Sequence, residues 1–128
     1  MSLSLQEMKA IATRFAVEPW GQGKLEVLDE VCSPQYGLNN GGSLQDLKTA
    51  IQNFRTAVPD LKITLGKMIA EDDLVAYQWT MEGTHLGPLG DQPATGKSVK
   101  STGITMIRFV DGKIAEDEFE ATPLDFSA

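Results

Sequence analysis

The hydrophobic period changes at Pro59, and that change constrains the fold more than any other feature of the chain. Before it, Leu44, Leu47, Ile51, Phe54 and Val58 lie on one helical stripe, which starts behind Ser43 with Asp46 three residues on. After it, Leu61, Ile63 and Leu65 alternate with Lys62 and Thr64, so one face of the segment is buried and the other wet. Helices therefore come first and strands afterwards. That order predicts an α+β domain with its helices packed on one face of an antiparallel sheet.

The flanking segments extend the pattern. Leu5, Met8, Ile11, Ala12 and Phe15 recur at helical spacing behind a Ser4-x-x-Glu7 capping box, and Pro19 with Gly21 is expected to end that helix. A shorter amphipathic stretch runs from Lys24 to Val31 and is expected to stop at Ser33-Pro34. Tyr36 to Gly42 reads as a brief strand and a turn, the turn carried by Asn39-Asn40-Gly41-Gly42. Gly66 breaks the alternation after Pro59 as a bulge does. A long strand follows the Glu71-Asp72-Asp73 turn and covers Leu74 to His85, with Val75, Tyr77, Trp79, Met81 and His85 on one face. Beyond a Gly- and Pro-rich loop from Leu86 to Gly96, Val99 to Val110 forms another strand. Asp111-Gly112 then turns the chain into Lys113 to Ala121.

At 128 residues the chain fits one domain, residues 1–128, and buries roughly two thirds of the surface an unfolded chain of that size exposes. Eighteen acidic residues against eleven basic ones give a net charge of −7, which argues against nucleic acid and anionic membranes as partners. Cys32 is the only cysteine, so neither an intramolecular disulfide nor a cysteine-based zinc site is available. With no signal-type apolar segment at its start and no long apolar run, the chain reads as soluble and cytoplasmic.

Two side chains stand out as candidates for proton chemistry. In the last strand Glu116, Glu118 and Glu120 alternate with Ala115, Asp117, Phe119 and Ala121, which leaves Asp117 as the one carboxylate on the apolar face. A carboxylate so placed loses hydration, and its pKa rises toward the range useful for general acid–base catalysis; the alternatives are a place near the cavity mouth, or a strand rotated so that the glutamates point inward. His85 is the only histidine, and the only side chain that titrates near neutrality without perturbation. It shares a face with Tyr77, Trp79 and Met81 and has two readings: a hydrogen bond to ligand or a proton shuttle with Asp117, or an anchor for the Leu86 to Gly96 loop through a backbone carbonyl. Tyr36, Tyr77, Trp79, Met81, Phe109 and Phe119 are candidates to line a pocket for a small apolar molecule. One histidine among scattered carboxylates offers no metal-ligand spacing. No Gly-x-Ser-x-Gly elbow, P-loop or dinucleotide fingerprint occurs, so no cofactor is expected.

From about Lys24 onward the chain resembles the SnoaL-like polyketide cyclase family of the nuclear transport factor two-like superfamily. The resemblance is carried by Phe54 through Pro59-Asp60-Leu61, by Ile69-Ala70-Glu71-Asp72-Asp73, and by Trp79-Thr80-Met81-Glu82-Gly83-Thr84-His85-Leu86-Gly87. Pro93-Ala94-Thr95-Gly96-Lys97, Gly103-Ile104 and Arg108-Phe109-Val110-Asp111-Gly112-Lys113-Ile114-Ala115-Glu116 complete it. It implies a cone-shaped α+β barrel whose curved sheet wraps the N-terminal helices and encloses an apolar pocket, usually in a homodimer. Members that close rings by an aldol step carry an acid–base aspartate five positions after the Gly-Lys-Ile motif, which here is Phe119. Their histidine on the preceding strand falls at Thr105, which joins the candidate ligand-binding positions. Asp117 lies one pleat before Phe119, so it substitutes only for a substrate displaced about 6 to 7 Å along the strand. The departures leave two functions open: a cofactor-independent cyclase, isomerase or hydratase acting on a small apolar carbonyl compound, or a non-catalytic binding or assembly domain that keeps the cavity.

Overall fold

The computed structural model describes residues 3–38 and 42–126. Three helices precede the main sheet: α1 (Leu5–Gln22), α2 (Glu26–Val31) and α3 (Leu44–Ala57), with strand β1 (Cys32–Leu38) between the second and third. Strands β2 (Lys62–Glu71), β3 (Leu74–Thr84), β4 (Ser98–Val110) and β5 (Lys113–Ala121) follow. The sheet order is β1-β5-β4-β3-β2, a curved sheet that stays open, with β1 and β2 as its edges.

Local chemistry explains most boundaries. Ser4 and Ser43 each accept from the backbone N–H three residues on, while Glu7 and Asp46 reach back to the cap, so both capping boxes form. The register of β2 against β3 slips between Leu65 and Met68, which places the bulge at Gly66 and Lys67. Asp111 and Gly112 both adopt positive φ, 52° and 79°, the conformation that a two-residue hairpin turn requires.

The first helix departs from expectation. It runs through Pro19 and Gly21 and ends at Gly23, whose left-handed conformation directs its N–H to the Glu18 and Pro19 carbonyls. A proline inside a helix loses one hydrogen bond and crowds the preceding turn. Here packing of the last turn outweighs that cost, because Pro19 is buried and the Trp20 ring meets Phe54 edge-on at 6.4 Å. Ser33-Pro34 does not delay the strand either. β1 begins at Cys32 and absorbs Pro34 at a sheet edge, where the register is already irregular between Cys32 and Gly37. The strand pairs parallel to β5, adding a parallel edge to an otherwise antiparallel sheet. Residues 39–41, most of the expected turn, lie outside the described residues.

The concave face of the sheet packs against α1 and α3 in a core that includes Met8, Phe15, Leu47, Ile51, Val75, Ile107 and Ile114. A second cluster, Ala57, Val58, Leu61 and Val99, closes one end. Among the described residues no helix is long and apolar enough to cross a membrane.

Candidate active site

Three strands present their inward side chains in rungs. Tyr77, Thr105 and Phe119 are cross-strand partners on β3, β4 and β5, and the next rung toward the strand-β3 C-terminus is Trp79, Gly103 and Ala121. On the other side lies the rung of Val75, Ile107 and Asp117. Opposite the sheet, Phe15, Ala16 and Trp20 of α1 and Leu47 and Phe54 of α3 face the same space. Between them is a cavity of about 270 Å³, walled also by Met81, Ser101, Thr122 and Leu124.

Gly103 gives the cavity its shape. A Cβ there would lie 2.4 Å from Trp79 Cζ2 and 2.6 Å from the Glu120 carbonyl oxygen, so only glycine lets the indole lie across the rung. The indole Nε1 then donates to Thr105 Oγ1 at 2.8 Å, which satisfies two inward polar groups at once.

Asp117 is the acidic side chain of this cavity and is only 5% exposed. Its Oδ2 accepts from the Tyr36 hydroxyl at 2.8 Å, while Oδ1 is buried with no hydrogen-bond partner among the described residues. Desolvation pushes the Asp117 carboxyl up to about 6, although the Tyr36 hydrogen bond pulls it down. Burial, followed by the charge of Asp117, holds the Tyr36 and Tyr77 hydroxyls protonated well above the usual tyrosine range. Cys32, also buried close by, is pushed up to about 12 by the same desolvation and charge. Glu116, Glu118 and Glu120 are exposed on the outer face.

Most of the residues singled out in the sequence meet here: Asp117, Tyr77, Trp79, Met81, Thr105 and Phe119 all line the cavity. Thr105 and Phe119 are direct cross-strand partners. Three residues take other places, and the first is Phe109, which is buried in the core with Met8 and Ile114 and does not line the cavity. Tyr36 is not a wall residue; it stands behind Asp117 as its hydrogen-bond donor, because the parallel pairing of β1 brings Leu38 opposite Asp117. His85 does not reach the cavity. It is fully buried beyond the end of β3, where Nδ1 meets the Thr95 hydroxyl at 3.0 Å and the ring packs against Phe126 at 5.4 Å. Its backbone N–H donates to the Lys97 carbonyl and its carbonyl accepts from the Gly96 N–H, so it holds the Leu86 to Gly96 loop by its main chain and by Thr95. The alternation that put it on the inward face is correct, but inward at that height is the end cluster.

The helix wall was not singled out from sequence. Phe15, Leu47 and Phe54 belong to the apolar stripes, which look the same whether the stripe meets a sheet or a cavity. Among the described residues no three His, Cys, Asp or Glu side chains gather as metal ligands do.

The family model for SnoaL-like polyketide cyclases matches residues 10–119. A search of curated proteins finds no match. Among solved structures, AclR, a hydroxylase candidate of Streptomyces galilaeus, is 31% identical with a TM-score of 0.83, over 93% of this chain and 77% of its own. IdmH, a polyketide cyclase candidate of Streptomyces antibioticus, is 25% identical with a TM-score of 0.74, over 91% of each chain. TsrD of Streptomyces laurentii shares the fold at a TM-score of 0.84 and 24% identity, over 94% of this chain and 91% of its own. With a family match over most of its length and a fold that these structures share, the chain belongs to the SnoaL-like polyketide cyclase family.

Proposed function

We propose that this protein is a cofactor-independent acid–base enzyme, of cyclase, isomerase or hydratase type, acting on a small apolar carbonyl compound. The observation that carries the reading is Asp117, a buried carboxylate on the wall of an aromatic cavity, with one oxygen held by Tyr36 and the other without a partner among the described residues. A general base is best matched when its pKa lies near the working pH, and Asp117 at about 6 meets that condition. Asp117 Oδ1 takes a proton from the carbon next to the carbonyl, and the bonding pair moves onto the carbonyl oxygen as an enolate. The Tyr77 and Thr105 hydroxyls on the same wall supply donors for that oxygen. Return of the proton to a different carbon of a conjugated enolate completes isomerisation, whereas attack of the enolate carbon on a second carbonyl closes a ring and the new alkoxide takes the proton back from Asp117. The cyclase name carried by IdmH supports this class. A volume of about 270 Å³ is just below the range of about 300 to 1,000 Å³ usual for ligand sites, which favours a substrate of one or two rings.

The test is α-proton exchange in D2O, followed by proton NMR, on a panel of one- and two-ring ketones and esters. Exchange above background with the wild-type protein, lost in Asp117→Asn, is the expected result. Background exchange across the whole panel instead supports the second reading, a binding domain without chemistry, which the phenylalanine at position 119 favours. We also propose a homodimer joined through the outer sheet face, supported by exposed Ile104 and Met106 on β4. Native mass spectrometry of the wild type and of Ile104→Asp tests it.

A further inference from the structure

The cavity carries an unbalanced charge. Apart from Asp117, its ionisable wall residue is Tyr77, which stays neutral, and among the described residues no lysine, arginine or histidine lines it. The groups that face Asp117 are equally one-sided. Tyr36 and Cys32 from β1 and Tyr77 from β3 are all neutral at physiological pH, and Phe15, Ala16 and Leu47 on the helical side carry no titratable group. One carboxylate oxygen is therefore buried without a proton donor or a counter-charge, in a chamber walled by Trp20, Phe54, Trp79 and Phe119.

Such a chamber favours one sign of ligand. A negative ligand would bring a second buried charge beside the first, and like charges in a low-dielectric site repel strongly. A protonated amine does the opposite: it supplies the missing donor and counter-charge to Asp117 Oδ1 and presents its positive end to aromatic faces. We propose that the cavity is a binding site for hydrophobic amines carrying one protonated nitrogen on a one- or two-ring skeleton, with Asp117 as the counter-ion and the aromatic walls as the cage. The proposal shares the cavity and Asp117 with the acid–base reading but requires no turnover. A bound amine occupies the base, so these compounds are also competitive inhibitors of any reaction that Asp117 performs.

Benzylamine, benzyl alcohol and benzoate have nearly the same shape and differ in charge, and isothermal titration calorimetry of the three against the wild-type protein reads the selection directly. At pH 7.5 benzylamine is expected to bind about thirtyfold or more tightly than benzyl alcohol, as loss of one partner of a buried charge pair implies, while benzoate shows no binding. Asp117→Asn is expected to bring benzylamine down to the level of benzyl alcohol. Benzylamine stays protonated between pH 5 and pH 7.5, so its affinity is expected to rise over that interval as Asp117 ionises, while that of benzyl alcohol does not. The pH series needs no variant and decides the matter where Asp117→Asn fails to fold. The proposal is overturned by benzoate or benzyl alcohol binding as tightly as benzylamine, by no binding of benzylamine, by a flat pH series, or by an amine preference that survives in Asp117→Asn. A protein that selects benzylamine but exchanges no α-protons refutes the acid–base reading alone.

Discussion

Asp117→Asn removes the most costly charge in the core, and the structure sets both the size and the pH dependence of the effect. The folded carboxyl titrates at about 6, against 3.8 for the free side chain, so the native state holds the protonated form more firmly than the unfolded state does. Its stability contribution is therefore complete below the unfolded value and is lost as pH rises through the folded one. Two pKa units correspond to about 3 kcal/mol, which is the penalty the wild type carries at pH 7.5. At pH 4.5 the unfolded carboxylate is largely ionised but the native one is not, and the remaining penalty is about 1 kcal/mol. The asparagine amide carries no such penalty, and its carbonyl still accepts from the Tyr36 hydroxyl. Urea unfolding of both proteins should therefore find the variant more stable by about 2 to 3 kcal/mol at pH 7.5, with the gap shrinking to about 1 at pH 4.5. In a domain of this size that is a rise in Tm of roughly 6 to 12 °C at the higher pH. A variant less stable than the wild type at pH 7.5, or a gap independent of pH, refutes the assignment of Asp117 as a desolvated, unpaired carboxylate.

Tyr36→Phe deletes the hydrogen bond that restrains the Asp117 pKa. A bond to a charged group contributes about 1.5 to 3 kcal/mol, so the Asp117 titration, followed by carbonyl-carbon NMR, should move up by about one to two units. His85→Ala empties a fully buried site beneath Phe126 and Thr95 and should cost about 2 to 4 kcal/mol in urea unfolding, with faster proteolysis in the Leu86 to Gly96 loop and no change in the Asp117 titration. Gly103→Ala forces the Trp79 indole off its rung and should break its bond to Thr105, read as a shift of tryptophan fluorescence and a loss of about 1 to 3 kcal/mol. Gly83→Ala puts a Cβ 2.2 Å from Val58 Cγ1 and 2.9 Å from Asp60 Oδ1, and a similar loss is expected from thermal unfolding without any change at the cavity.

The sequence by itself determined what depends on neighbours close along the chain. Capping boxes, the Gly66 bulge, the Asp111-Gly112 turn and the inward set Tyr77, Trp79, Met81 and Asp117 all follow from spacing within a few residues, because the periods of helix and strand are local properties. The family resemblance added the curved sheet and its cavity. Which inward residues reach that cavity was decided by the tertiary structure alone. His85 and Trp79 occupy the same face of one strand, yet six residues of rise carry the histidine past the cavity into the end cluster. Pro19 remains helical only because its turn is buried against the rest of the fold. Asp117 finds its donor in Tyr36, 81 residues earlier, through a parallel pairing that no local pattern encodes. A buried carboxylate takes its pKa and its partners from whatever encloses it, and that enclosure comes from segments far apart in the chain. The one carboxylate on the apolar face was therefore legible in the order of amino acids, whereas its environment required the folded protein.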